Sequence, residues 1–549
     1  MAWRASMALL LLLGIYQFWL GVERSPSSDD ALFLSVPKNW INGYGWATSY
    51  SEKIPFNPDF TGPTALLIPA ALLIKLFGNP LWIAGVTGAV INLALLALCM
   101  QQVRAYWRNS GIAALYLVCG CIISKPNDFA SLIGYYSGSL LFLLTALLAF
   151  NPLYSTQKKA LGIGLLAAIG LHIKLLLAPA FAILGFLFLL RQYAKNTISF
   201  MQSPGLLILM LLPVLLLQGS WQLYRQQSLS TYSNEYVATH QQYADNFFRF
   251  HGSGIGQWQE SSDKALYLER NTDKNLYFVE ESLAEYGIKN PLLGDAPADE
   301  QHIVAWLLLI SLISAIAITV MKVRKDNTAE KNWVILTFSM VILAYLVWFA
   351  VFSMAMSPGH FYFPNQWLLW ISLLALSQSK FAQEKYMKLA ISSALISLSI
   401  LAWMKFDRMP IQKTHAIEQA TNYIQQATFT APLAGCGYSG YPRHIEYLLP
   451  TSQNFADCLD LIDDHVESYE NHYRWRSPLN FNLVFSLQSP GMNVASAMVI
   501  QQCKDKTLYR NDDVFIFSCD FSELQKIDLD VLMPEIRKTH HWYRTRIKP

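Results

Sequence analysis

The chain has 549 residues, 53% of them hydrophobic and only 14% charged, with a mean hydropathy of +0.26. Soluble domains carry about 25% charged residues, so this composition excludes an ordinary soluble protein. A net charge of +3 is too small for a nucleic-acid partner; the positive residues sit in short loops, where they report topology.

In chain order, apolar runs near 5–22, 80–100, 110–124, 130–150, 159–173, 175–190, 204–220, 302–321, 333–353, 361–378 and 387–404 read as membrane helices. A run of about 18–20 residues spans a hydrocarbon core of about 30 Å. Arg4 precedes the first run as in a signal peptide, but no small-x-small cleavage pattern clearly follows, so an uncleaved helix is expected. A further run, "TALLIPAALLIKLFG" (64–78), is short and carries Pro69 and Lys75.

Charge then assigns sides. The connections 101–109 (Arg104, Arg108), 151–158 (Lys158), 191–203 (Arg191, Lys195), 322–332 (Lys322, Arg324, Lys325, Lys331) and 379–386 (Lys380, Lys385) are basic, and they alternate with connections poorer in charge. Short cationic loops stay cytoplasmic. That places the N-terminus inside and residues 23–79, 221–301 and 405–549 outside. The 64–78 run then reads as a re-entrant or surface-lying helix. The expected fold is a polytopic α-helical membrane protein of about eleven transmembrane helices (1–404), followed by an extracytoplasmic domain (405–549).

From about 405 the sequence gains charge, turn residues and short apolar runs such as "DDVFIFSCDF" (512–521), the pattern of a mixed α/β domain. Four of the seven cysteines fall here: Cys436, Cys458, Cys503 and Cys519. On an oxidising side they suggest two disulfides, with Cys436–Cys458 and Cys503–Cys519 one of three connectivities. A zinc site competes, but no C-x-x-C pair supports it. The other three cysteines lie in membrane runs, where cysteine acts as a small apolar residue.

Polar groups at membrane edges are informative because hydrocarbon makes them costly. On the outer side stand Asp29, Asp30, Glu52 and Asp59 in the first loop, and Asp128 in "SKPND". His172 and Lys174 follow in "GLHIKLLLAP", and His360 and Tyr362 in "SPGHFYFPN". Each also has a plain structural use. Asp29, Asp30 and Asp128 would serve as helix N-caps, and Lys174 would snorkel to the interface. The carboxylates and cations nevertheless map to one face of the membrane. "HGSGIGQ" (251–257) lacks the Gly-Lys-Ser/Thr of a nucleotide loop and reads as a loop segment.

The acidic pair after the first helix, the stretch "FNPDFTGPTALLIPAALLIKLFGNPLW", the outer Asp after the third crossing, the "G-L-x-x-K" turn and the aromatic-Pro turn before a late helix occur in an order that resembles the GT-C-type membrane glycosyltransferases. The likeness is greatest to the branch holding protein O-mannosyltransferases and lipid A aminoarabinose transferases, and it covers residues 1–380 in layout. It implies a bacterial inner-membrane enzyme using a polyprenyl-phosphate-linked sugar donor and a glycan, lipid or protein acceptor. Asp29 or Asp30 would be the first catalytic carboxylate, Asp128 the second acidic residue, and Lys174 a contact to the donor phosphate. Relatives carry an Arg-Tyr pair where this chain has "HFYFP", so His360 would take the cationic role, with His172, Tyr362 and Asp59 nearby on the outer side.

The chemistry fits independently. Nucleotide sugars are scarce outside the cytoplasm, so an activated sugar has to arrive on a lipid carrier. A carboxylate taking the acceptor proton contributes about 10²–10⁴ in rate, and a cation at the departing phosphate stabilises its charge. No cofactor is assigned; a divalent metal ion would suit the chemistry, but the ligand set is too loose to define a site. A flippase or transporter for lipid-linked sugars is the alternative, predicting charges mid-membrane and matching halves; the crossings contain almost no acids. An O-antigen-type polymerase would place clustered basic residues in two large outer loops, a pattern that is absent.

Overall fold

In the computed structural model the described residues are 2–23, 26–46, 63–107, 109–124, 129–195, 202–229, 321, 330–352, 362–379, 384–407, 414–427, 429, 433–435, 442–450, 455–457, 462–463, 474–475, 480–486, 507–511 and 514–520. The helices are α1 (Ala2–Glu23), α2 (Ser28–Ile41), α3 (Thr64–Phe77), α4 (Trp82–Tyr106), α5 (Ser110–Ile123), α6 (Tyr135–Phe150), α7 (Thr156–Leu171), α8 (Ala178–Ala194) and α9 (Ser203–Leu229). They continue with α10 (Glu330–Phe352), α11 (Tyr362–Leu376), α12 (Lys385–Asp407), α13 (Thr414–Gln426) and α14 (Pro442–Leu448). Most of the apolar runs are thus helices within a few residues of their sequence bounds. The run 302–321 lies almost wholly outside the described residues.

Among the described residues, five helical spans are long and apolar enough to cross a membrane: Ala2–Glu23, Trp82–Tyr106, Leu175–Ala194, Ser203–Gln227 and Glu330–Trp348. Five shorter apolar helices among the described residues, Thr64–Phe77 included, accompany these. The chain divides into two compact units. One comprises Met1–Leu20, Asn57–Leu66 and Val86–Pro410; the other comprises Gly21–Phe56, Leu67–Gly85 and Ile411–Pro549.

The first unit is a helical bundle with a continuous apolar core drawn from α1 and α4–α11. Hydrocarbon gives helices little hydrophobic reason to associate, so small residues and interhelical hydrogen bonds carry the packing. A Cβ on Gly164 of α7 would stand 2.4 Å from the Met210 carbonyl oxygen of α9, and one on Gly88 of α4 would stand 2.5 Å from Ser131 O. Asn92 Nδ2 donates to Phe129 O at 2.7 Å and accepts at Oδ1 from Ser137 Oγ at 2.8 Å, joining α4 to the start of α6. Gly164→Leu is expected to separate α7 from α9 and lower the Tm in detergent, an overpacking cost of roughly 1–3 kcal/mol. Thermal unfolding beside Gly162→Leu, which meets only a Leu148 side chain, checks it.

Contacts at one end of this bundle tie the basic connections together. Arg191 and Lys195 both reach Glu330 Oε1, at 2.7 and 3.3 Å. Thr156 Oγ1 lies 3.4 Å from Gln192 Oε1, and Asn109 Nδ2 donates to Ser377 O at 3.2 Å. Arg104 sits over the Trp3 ring at 4.9 Å, bringing the start of α1 to the same end. These contacts join described residues at the edges of the basic connections pairwise.

In the second unit the strands β1 (Leu433–Gly435), β2 (Phe455–Asp457), β5 (Asn480–Ser486), β6 (Thr507–Arg510) and β7 (Val514–Asp520) form a five-stranded sheet in the order β2-β1-β5-β7-β6. β1 pairs parallel with β2 and β5; β7 pairs antiparallel with β5 and β6. β3 (Ile462–Asp463) and β4 (Arg474–Trp475) make a small antiparallel pair. The "VFIFSCD" run is β7, with Val514 and Ile516 buried on one face at period two.

Candidate functional site

Chemistry-bearing residues lie in both units. In the bundle they gather around the turn that links α7 to α8. α7 ends at Leu171 with His172 as its C-cap, and the extended backbone of Lys174 opens a short 3-10 turn, Leu175–Leu177, ahead of α8. His172 O accepts from Ala65 N at 3.1 Å, fastening the start of α3 to this turn. Gly134, the N-cap of α6, has a φ of 89°, a conformation open to glycine at little cost. A Cβ there would also stand 2.9 Å from Ile173 Cγ2, so the glycine lets α6 begin against the turn.

That close approach puts the next residue, Tyr135, under Lys174, whose Nζ lies 4.5 Å from the ring centroid. Tyr135 also meets Phe363 of α11 edge-on at 5.5 Å. His172 faces Trp221 of α9 at 5.8 Å, and the Tyr345 hydroxyl of α10 donates to Leu176 O. Lys174 is 9% exposed and His172 6%. The lysine therefore does not snorkel outward: it is a cation held on an aromatic face, an attraction worth about 0.5–2 kcal/mol. A buried cation flanked by aromatic groups at helix ends favours a phosphate ligand.

In the second unit, "SSDD" folds as a helix start. Ser27 is the N-cap of α2, and its Oγ accepts from Asp30 N at 3.1 Å. Asp30 Oδ2 in return accepts from Ser27 N at 3.3 Å and from Ser27 Oγ at 2.9 Å, closing a capping box. Asp30 is 2% exposed, whereas Asp29 is exposed. The adjacent acids are thus not equivalent: one carboxylate is spent on the helix terminus and the other stands on the surface of the first turn.

α2 also carries Lys38, 1% exposed. Its Nζ donates to the carbonyls of Glu446 (3.2 Å), Tyr447 (2.7 Å) and Leu449 (2.6 Å) at the C-terminus of α14. Burial pulls its pKa down to about 8, with the Glu446 charge acting against that shift, so the group stays protonated at neutral pH. His444 Nε2 donates to Pro26 O at 2.6 Å.

The remaining sequence candidates are less placed. Asp59, Asp128 and His360 lie outside the described residues, as do Glu52, Cys436, Cys458 and Cys503. Tyr362 opens α11, and Cys519 lies on β7 opposite Phe481. Cys99, Cys119 and Cys121 are free and buried in α4 and α5. Among the described residues, no group of three or more His, Cys, Asp or Glu could hold a metal ion.

Sequence reasoning missed Lys38 and His444, whose partners are over 400 residues away. It also missed Asn365 and Gln366, one turn into α11. Gln366 is 1% exposed, and among the described residues neither its Oε1 nor its Nε2 has a hydrogen-bond partner; the same holds for Asn365 Nδ2. Two adjacent amides inside an apolar run ("FPNQWLLW") were the available signal, since burying an amide without a partner costs about 1–3 kcal/mol.

No protein-family profile matches the chain, and no curated protein sequence is similar to it. Among solved structures, it is similar to ArnT from Cupriavidus metallidurans in the apo state, with TM-score 0.55 and 13% identity over 94% of this chain and 98% of that one. It is also similar to ArnT from Cupriavidus metallidurans bound to undecaprenyl phosphate, with TM-score 0.54 and 12% identity over 93% and 97% of the two chains. The chain shares the fold of ArnT. At this identity the likeness is one of fold.

Proposed function

We propose that the chain is a membrane glycosyltransferase that moves a sugar from a polyprenyl-phosphate carrier to an acceptor outside the cytoplasm. The observation that carries this is the likeness to ArnT over nearly the full length of both chains, including the structure with undecaprenyl phosphate bound. The buried Lys174, held on Tyr135 at the α7–α8 turn, supports an anionic lipid headgroup as ligand.

The reaction proposed is a single inverting displacement. The acceptor hydroxyl oxygen attacks the anomeric carbon, its proton passes to a carboxylate, and the bond from that carbon to the phosphate oxygen breaks with its electron pair leaving on phosphate. Asp29 is assigned as the base, because Asp30 is committed to the capping box. Lys174 and His172 stabilise the departing phosphate, joined by His360 as a further cation. Asp128 is the second acidic residue, and Tyr362 and Asp59 line the donor. The frame is eleven crossings in a bacterial inner membrane, with the N-terminus cytoplasmic and the disulfide-bearing tail outside.

Asn365 and Gln366 are assigned to polar groups of the donor, which would satisfy amides that have no partner among the described residues. Gln366→Leu is expected to raise the Tm of the ligand-free protein by a few degrees, a gain of roughly 1–2 kcal/mol. It should also lower donor transfer, as scanning calorimetry and product quantification would show. The proposal as a whole is tested by glycan mass spectrometry of cells lacking the protein, then complemented with the wild type. Glycans identical with and without the protein would remove it.

A further inference from the structure

We infer that α14 fixes the position of the helix carrying Asp29, with Lys38 and His444 as positioning residues that make the C-terminal segment part of the catalytic apparatus. This rests on the assignment of Asp29 as the base.

The argument begins with α14 itself. At seven residues it is too short to be stable alone, and its last carbonyls have no partner within the helix. An ammonium offers three donors, and Lys38 Nζ meets three of those carbonyls at 3.2, 2.7 and 2.6 Å. It also stands 5.7 Å from the centroid of the buried Tyr447 ring. A cation at a helix C-terminus is favoured by the helix dipole as well. Lysine is costly to bury without such partners, so three converging carbonyls define a specific seat.

The other end of α2 is held by the same short helix. His444, 1% exposed, donates from Nε2 to Pro26 O at 2.6 Å. A carbonyl only accepts, so the proton sits on Nε2. Pro26 directly precedes the N-cap Ser27, and Asp29 follows within the first turn. α14 therefore grips α2 on both sides of the acid, just before its first residue and in its last turn. A rigid-body shift or a change in pitch of α2 would have to break one of the two. Because a misplacement of about 1 Å in a reacting group costs about a hundredfold in rate, such a grip matters to turnover more than to binding.

The test uses the full-length chain. Lys38→Met keeps the apolar stem and removes the donors; Lys38→Arg keeps charge and donors; His444→Phe removes the second grip. In cells lacking the protein, Lys38→Met at wild-type abundance is expected to lower the product glycan at least about tenfold. Lys38→Arg should recover part of that loss. Undecaprenyl phosphate binding by the purified variants, measured by native mass spectrometry, should stay within about twofold of wild type. Unchanged product with Lys38→Met, or carrier binding lost in step with product, would overturn the inference. Maleimide labelling of the thiol in Asp29→Cys, with and without Lys38→Met, reads the position of α2 independently of any transfer. A changed labelling rate supports the grip even if no glycan depends on the protein, and an unchanged rate overturns it.

Discussion

Asp29→Asn is expected to lower product glycan by about 10²–10⁴, the usual contribution of a general base, at unchanged protein abundance. Asp30→Asn is expected to keep most of the turnover. The two residues are chemically identical and adjacent, so composition offers no distinction. Their places on the first turn of α2 do. Asp30 is buried and accepts from Ser27 N and Oγ, while Asp29 is exposed on the surface of the first turn. Asparagine keeps an oxygen that still accepts at the cap, so Asp30→Asn costs little, and Asp30→Ala costs about 1 kcal/mol of stability. The measurement is product per protein molecule for the variants expressed in the deletion strain, beside their Tm in detergent. Loss of turnover in Asp30→Asn with full retention in Asp29→Asn would reverse the assignment.

Lys174→Met should weaken undecaprenyl phosphate binding by roughly ten- to hundredfold, the worth of about 1.5–3 kcal/mol for a hydrogen bond to a charged group. Methionine retains an unbranched apolar stem of similar reach, so the packing against Tyr135 survives and the loss reports the charge. Loss of the cation–π attraction should cost the ligand-free variant about 0.5–2 kcal/mol of stability, read as its Tm in detergent. Lys174→Arg is not a conservative change here: the guanidinium is planar, larger and forked, whereas the turn seats a compact ammonium over one ring. Native mass spectrometry of the purified protein with undecaprenyl phosphate measures the binding. Unaltered affinity in Lys174→Met would detach this lysine from the carrier headgroup.

Much of the architecture is legible in the sequence because it is local. The acids ahead of "ALFL" mark a helix start as expected, but the N-cap is Ser27, and Asp30 three residues on closes the capping box instead of capping the helix itself. "VFIFSCD" becomes β7 because it is a short run of β-branched and aromatic residues bounded by turn residues. The plain structural alternative for Lys174, snorkelling to the interface, is not what the structure shows: a lone lysine near a helix end normally reaches for water, but Gly134 lets α6 come close enough to put an aromatic ring beneath it. Nothing within ten residues of Lys174 contains that information. The same holds for Gln366, whose burial depends on which face of α11 the bundle covers.

The sequence by itself determined that this is a helical membrane protein, which apolar runs become helices, and which loops share a charge class, since hydrocarbon thickness and loop charge act on each segment separately. Only the tertiary structure decided between Asp29 and Asp30 as the exposed acid, seated Lys174 on Tyr135, and gave Lys38 three carbonyls more than 400 residues downstream. Those outcomes require partners from distant parts of the chain. The energy of a buried charge depends on the groups that finally surround it, and folding alone brings them together.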